Sequence, residues 1–138
     1  MSQYALSLSL PAVYAEGNFI VSPCNADAHR QVLSWPAWQS LLLSGPQGCG
    51  KTHLGHIWAA RANAAVIPAA VLDPSDIRTH CLVEDIESAL QETLLHAINY
   101  AKEQGVSLLL TARMPVAKLG FTLPDLTSRL KAMPAAGI

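Results

Sequence analysis

Gly45-Pro46-Gln47-Gly48-Cys49-Gly50-Lys51-Thr52 satisfies the phosphate-loop pattern G-x-x-x-x-G-K-[ST] in full. The apolar run Leu41-Leu42-Leu43 precedes it, and His53-Leu54-Gly55-His56-Ile57-Trp58-Ala59-Ala60-Arg61-Ala62 follows with helix-forming residues. A loop set between a strand and a helix is the context in which this pattern works. Gly45, Gly48 and Gly50 permit backbone angles and close approach that a side chain would block, so successive N–H groups turn toward phosphate oxygens. The helix starting near Lys51 adds unpaired amides and the positive end of its dipole. Lys51 is expected to reach the β- and γ-phosphates, and the Thr52 hydroxyl to take one position on Mg²⁺. Cys49 reads as a small filler of a free position. The bland alternative, a glycine-rich turn that merely begins a helix, accounts for neither the lysine nor the threonine.

Working outward, the chain alternates strands and helices. Strands are expected over Ser40–Ser44, Ala65–Leu72, His80–Asp85 and Ser107–Thr111, with a last one starting in the tail Met133–Ile138. Pro68 interrupts the second and assigns it to a sheet edge. Helices are expected over Ala26–Trp35, capped by Asn25 or Asp27, then Lys51–Asn63, Ser88–Gln104 and Pro124–Lys131. Leu90, Leu94, Leu95, Ile98 and Ala101 share one face of the long helix, and Gly105 stops it. Such alternation predicts an α/β domain with a largely parallel sheet.

The strand Cys81-Leu82-Val83 ends in Glu84 and Asp85, where open α/β sheets place their ligands. Glu84 is expected to hold Mg²⁺, directly or through water, and Asp85 to orient an attacking water. Without the phosphate loop these two acids would read as a solvated strand end.

Composition narrows the function. The 138 residues suit one domain with a sizeable core, and a net charge of −1 gives no electrostatic footprint for direct DNA binding. Cys24, Cys49 and Cys81 lie far apart without C-x-x-C spacing, as in a reduced compartment. With no signal peptide and no apolar run of about 20 residues, a cytoplasmic location and no membrane contact are expected. Only 14% of residues are charged, so part of the surface is expected to meet a partner. The five histidines show no metal-ligand spacing and read as structural, and Trp35 and Trp38 as packing residues.

The order of GPQGCGKTHLGH (45–56), LVEDIE (82–87), LLHAINYAKEQGVSLLLTARMP (94–115) and LPDLTSRL (123–130) resembles the AAA+ module of the bacterial replication initiator DnaA, and more closely its Hda-like regulatory relatives. The resemblance runs from Phe19 to Lys131. It implies a P-loop NTPase core of five strands that binds ADP or ATP, with Gly45 to Thr52 and His53 at the phosphates. It places Ile20 and Val21 near the adenine, Thr111 in the sensor-1 region, and Arg129 as an arginine finger acting on nucleotide in a neighbouring subunit. That role makes a homo-oligomer one expected partner, beside a DnaA-type initiator. Glu84 departs from the family's usual aspartate, and Arg113 stands where relatives often carry an aspartate in the sensor region. The short segment before the LVED strand has no room for an initiator's DNA-engaging helices, which favours a regulator. The sequence stops before any helical lid and its sensor-2 arginine; if it is a fragment the full protein would supply them, and if complete its hydrolysis is expected to be weak or to need a partner subunit.

Residues 1–16 read as an extended arm ahead of the core at 17–138, either an edge strand or a docking peptide. Gln3-Tyr4-Ala5-Leu6-Ser7-Leu8 resembles the sliding-clamp-binding pattern Q-x-x-L-x-[LF], so Gln3, Leu6 and Leu8 are expected to contact a clamp. The leading expectation is a nucleotide-binding regulator of replication initiation. An autonomous phosphate-loop ATPase or kinase-like enzyme, and an adaptor that keeps the loop only as scaffold, are the alternatives.

Overall fold

The computed structural model describes residues 14–138. Within them, β1 (Ser40–Ser44), β2 (Ala65–Pro68), β3 (Cys81–Glu84), β4 (Leu108–Ala112) and β5 (Ala135–Gly137) form one sheet in the order β2-β3-β4-β1-β5. Every pairing is parallel: Leu42 lies beside Leu110 and Ala135, and Val83 beside Leu110 and Ile67. From β1 the chain crosses to the far edge at β2 and returns through β3 and β4, so the loop after β1 opens at the C-terminal ends of the strands.

The apolar runs are continuous because both sheet faces are covered. Leu42, Val83, Leu108 and Leu110 point to the face packed by α3 (Gln91–Gln104) and α4 (Pro124–Ala132), where Leu94, Ala97, Ile98, Leu126 and Leu130 meet them. Leu41, Leu43, Leu82 and Leu109 point to the other face, against α1 (Ala26–Leu33) and α2 (Lys51–Ala62), through Val32, Leu54 and Trp58. The period of two along each strand therefore serves two cores at once. Gly55 lets α2 approach β3 closely, since a Cβ there would lie 3.1 Å from Leu82 Cδ1.

Four expectations need local correction. The second strand stops at Pro68 rather than Leu72, and short 3₁₀ turns follow at Ala69–Val71 and Pro74–Asp76. Its edge position is as the proline required, because Pro has no N–H to donate to a second neighbouring strand. The long helix starts at Gln91, after a 3₁₀ turn at Ile86–Ser88, so Leu90 precedes it and is exposed instead of facing the core. The first helix ends at Leu33, and the Asn25 side chain does not cap it. That amide instead closes the preceding turn, accepting from Ser22 N at 2.8 Å and donating to Ile20 O at 3.0 Å. Gly105 stops α3 as expected, at φ 71°.

Candidate functional site

The loop between β1 and α2 owes its shape to its glycines. Gly48 and Gly50 sit at φ 84° and 95°, in the left-handed region that L side chains avoid. Gly45 is constrained by space instead, since a Cβ there would strike Cys49 Sγ at 2.7 Å. Its N–H donates to Ala112 O at 3.0 Å, which ties the start of the loop to the end of β4. Gly50 begins α2, and no side chain caps that helix, so its first amides face the loop's concavity.

A cavity of about 240 Å³ opens there, lined by Tyr14, Gln47, Gly48, Gly50, Lys51, Thr52, His53, Asp85 and Arg113. Lys51 is only 6% exposed, yet within the described residues it makes no hydrogen bond or ion pair. Its stem is buried while its ammonium opens on the cavity without a protein partner, where an anion would meet it. Thr52 is exposed on the same wall.

Asp85 faces Lys51 and Thr52 across the cavity from the end of β3, at φ 59° and ψ 62°, a left-handed conformation that aspartate tolerates. Its N–H donates to Thr111 Oγ1 at 3.0 Å. Thr111 is buried and does not line the cavity; its hydroxyl fixes the backbone of Asp85. Glu84 does not line the cavity either, because its Oε2 lies 3.6 Å from His56 Nε2 on α2.

The segment before α1 lies along α2. His53 Nε2 donates to Ala15 O at 2.9 Å, and Tyr14 stacks obliquely on His56 with ring centroids 4.6 Å apart. Arg61 clamps both carboxylate oxygens of Glu16, at 3.0 and 2.6 Å. Phe19 meets His53 edge-on at 5.1 Å and stacks on His29 at 5.4 Å, which brings the neighbouring Ile20 and Val21 to the loop's end of the molecule. Ile20 is 81% exposed and Val21 50%, and neither lines the cavity itself.

Of the residues read from the sequence, the structure gathers Gln47, Gly48, Gly50, Lys51, Thr52, His53 and Asp85 around one space. Gly45, Pro46 and Cys49 shape the loop behind it. Arg129 is exposed on α4 and lines a different groove, with Gln39 and Ser40 at the start of β1, so it does not reach the cavity of its own chain. Gln3, Leu6 and Leu8 lie outside the described residues. Among the described residues no group of three or more His, Cys, Asp or Glu stands together as a metal site. Thr52 and Asp85 are nonetheless hard oxygen donors on one cavity, which suits a cation that shares its shell with phosphate and water. Arg113, which stands where the resembled family often carries an aspartate, also lines the cavity, and so does Tyr14, which was not singled out in the sequence because its arm has no readable periodicity.

Searches against protein-family models and curated proteins find no match to this chain. Solved structures do match. Domain III of the DnaA replication initiation protein from Thermotoga maritima superposes with a TM-score of 0.78 at 21% identity, over 94% of this chain and 68% of that one. AMPPCP-bound DnaA from Aquifex aeolicus gives 0.75 at 20% identity, over 94% of this chain. The fold is that of domain III of the DnaA replication initiation protein. DnaI is also similar, with a TM-score of 0.65 at 14% identity over 87% of this chain and 84% of that one. The chain spans about half the length of the Aquifex protein, 51%. Among the described residues, no helix is long and apolar enough to cross a membrane.

Proposed function

We propose that this chain is a nucleotide-binding AAA+ regulator of DNA replication initiation, similar to the Hda-like relatives of DnaA, that takes ADP or ATP with Mg²⁺. The observation that carries the reading is Lys51, buried and without a partner on the wall of the phosphate-loop cavity. The loop N–H groups and Lys51 would bind and orient the phosphates, and Thr52 would hold Mg²⁺, while Glu84, turned toward His56, could reach the ion only through water. The metal supplies neutralisation of phosphate charge. Asp85, held by Thr111, is the acid placed to orient a water, and the apolar pair Ile20 and Val21 is offered to the base.

Arg129 lies away from its own chain's cavity, which supports action on nucleotide in a neighbouring copy. An isolated chain then lacks that stabilising cation, and turnover falls below the ~1–10³ s⁻¹ usual for enzymes. Rapid hydrolysis by a purified monomer would point to the autonomous ATPase instead. The regulatory part of the reading rests on the arm, where Gln3, Leu6 and Leu8 would dock on a sliding clamp while a DnaA-type initiator is the target. The test is a pull-down with the clamp and a calorimetric titration with ADP. Gln3→Ala with Leu6→Ala should abolish clamp retention and leave ADP binding intact; undiminished retention contradicts the clamp assignment.

A further inference from the structure

Tyr14 belongs to neither core, yet it lines the phosphate cavity beside Thr52 and His53, although it comes from ahead of α1 in the chain. Residues 14–19 reach the loop at their other end as well, for a Cβ on Gly50 would lie 3.5 Å from Phe19 Cε1. The single 3₁₀ turn between, Glu16–Asn18, has no buried residue and closes on itself, with Asn18 N on Ala15 O and Phe19 N on Glu16 O. Ahead of Phe19, what fastens the segment is α2. His53 Nε2 donates to Ala15 O at 2.9 Å, the Tyr14 ring lies 4.6 Å from that of His56, and Arg61 holds both Glu16 carboxylate oxygens. The segment adds no strand to the sheet. A stretch held by a few side-chain contacts at the surface opens far more readily than the sheet beneath it.

We propose that residues 14–19 form a strap across the phosphate cavity that governs how fast nucleotide enters and leaves, with Tyr14 as the residue that closes it. This rests on the reading of the cavity as a nucleotide site. His53 directly follows Thr52 and also lines the cavity, so the strap is pinned to the same turn of helix that carries the phosphate contacts. Phe19 is the fixed end, stacked on His29 of α1 and set edge-on to His53. Tyr14 is the releasable end: its ring meets His56 at a tilt of 35° and His53 only at 5.8 Å, and the Glu16–Arg61 pair beside it is about half exposed. Gly17 lies between the two ends with nothing within 4 Å of a Cβ position, so the turn has room to swing. An aromatic contact of this kind biases an opening equilibrium by about threefold to tenfold, and an exposed ion pair by about twofold. With the strap closed, Tyr14 narrows the way into the cavity; with it open, Lys51 and the loop amides are free to exchange their ligand.

The experiment is stopped-flow fluorescence of the full chain with N-methylanthraniloyl-ADP and Mg²⁺, which reads association and release separately, for the parent, Tyr14→Ala, Tyr14→Phe and Glu16→Ala. A gate is crossed in both directions, so Tyr14→Ala should speed association and release alike, by about threefold to tenfold, and leave Kd within about threefold of the parent. Tyr14→Phe keeps the ring and should leave both rates within about twofold. Glu16→Ala should raise both by about twofold, since it loosens the strap without removing the closing ring. Retained affinity shows that the variants are folded, and should Tyr14→Ala fail to fold, Glu16→Ala decides on the same two rates. Faster release with unchanged association would make Tyr14 an ordinary ligand contact and overturn the strap, as would unchanged rates in both Tyr14→Ala and Glu16→Ala. A parent that binds no nucleotide overturns the nucleotide reading and this inference with it.

Discussion

The two ends of the sheet treat most of their polar groups in opposite ways, although Trp58 Nε1, packed against Trp35 and Trp38 at one of them, is buried without a partner among the described residues. At the N-terminal ends of the strands, Trp35 Nε1 donates to Ser107 Oγ at 2.9 Å, Ser107 N donates to His80 Nδ1 at 2.9 Å, and Trp38 Nε1 donates to Gln31 O at 2.9 Å. The backbone is closed there too, with Cys81 N on Ser107 O and Leu108 N on Gln39 O. Burial pushes the Cys81 thiol up to about 12, its weak bond to Thr79 O notwithstanding, so it stays protonated and inert. At the C-terminal ends, Lys51 is equally buried and has no partner, and the first turn of α2 has no capping side chain. Polar groups satisfied by one another hold a fold together; a charge left open inside a cavity is satisfied by something that arrives.

The comparison can be broken most forcefully at the closed end. Trp38 is buried, so Trp38→Ala should cost about 3–5 kcal/mol in denaturant unfolding. Nucleotide affinity measured well below the melting temperature should stay within about threefold of the parent, because the indole lies at the far end of the strands. A large loss of affinity in the folded variant would mean the two ends are coupled.

Ser107→Ala removes only the hydroxyl that accepts from Trp35. It should destabilise the chain by about 1–2 kcal/mol through the unpaired indole N–H, again with no change in nucleotide affinity. Unchanged stability would show that this end does not depend on its internal pairing.

The smallest effect is expected where the N-terminal segment is clamped to α2. The hydrogen bond from Arg61, opposed by some desolvation and aided by the arginine's charge, lowers the Glu16 carboxyl below its ordinary range. A depressed folded value contributes stability above the unfolded value near 4.5 and loses it as pH falls through the folded one. Both side chains are about half exposed, so Glu16→Ala should cost less than about 1 kcal/mol at pH 7, and the difference should shrink steadily as pH falls below the unfolded value. A difference that does not shrink with falling pH would mean that Glu16 acts through packing.

Most of the fold was legible because its signals are local and agree with one another. The runs at Leu41–Leu43, Cys81–Val83 and Leu108–Leu110 could only be strands covered on both faces, and Gly105 and Pro68 punctuated the elements where the backbone demanded it. The start of α3 was misplaced because Leu90 fits the helical spacing, whereas Asp85 in a left-handed conformation turns the chain into a 3₁₀ segment that the hydrophobic pattern does not register. The phosphate loop was legible as a motif. The membership of the opposite wall was not: Glu84 and Asp85 look alike in sequence, and only the packing of His56 on α2 turns one aside and leaves the other in the cavity. Arg113 depends on strand order for the same reason, since β4 becomes the neighbour of β1 only when the chain has crossed the sheet.

The most direct test of the account is the affinity of the parent and of Lys51→Ala for ADP and ATP with Mg²⁺, measured by calorimetry alongside thermal unfolding of each without nucleotide. An ammonium that opens on the cavity without a protein partner contributes to binding and little to the fold, so the variant should lose about a hundredfold or more in affinity for both nucleotides while melting close to the parent's temperature. Equal affinities in parent and variant, or a variant that melts well below the parent, would contradict the claim that Lys51 is held open for a phosphate.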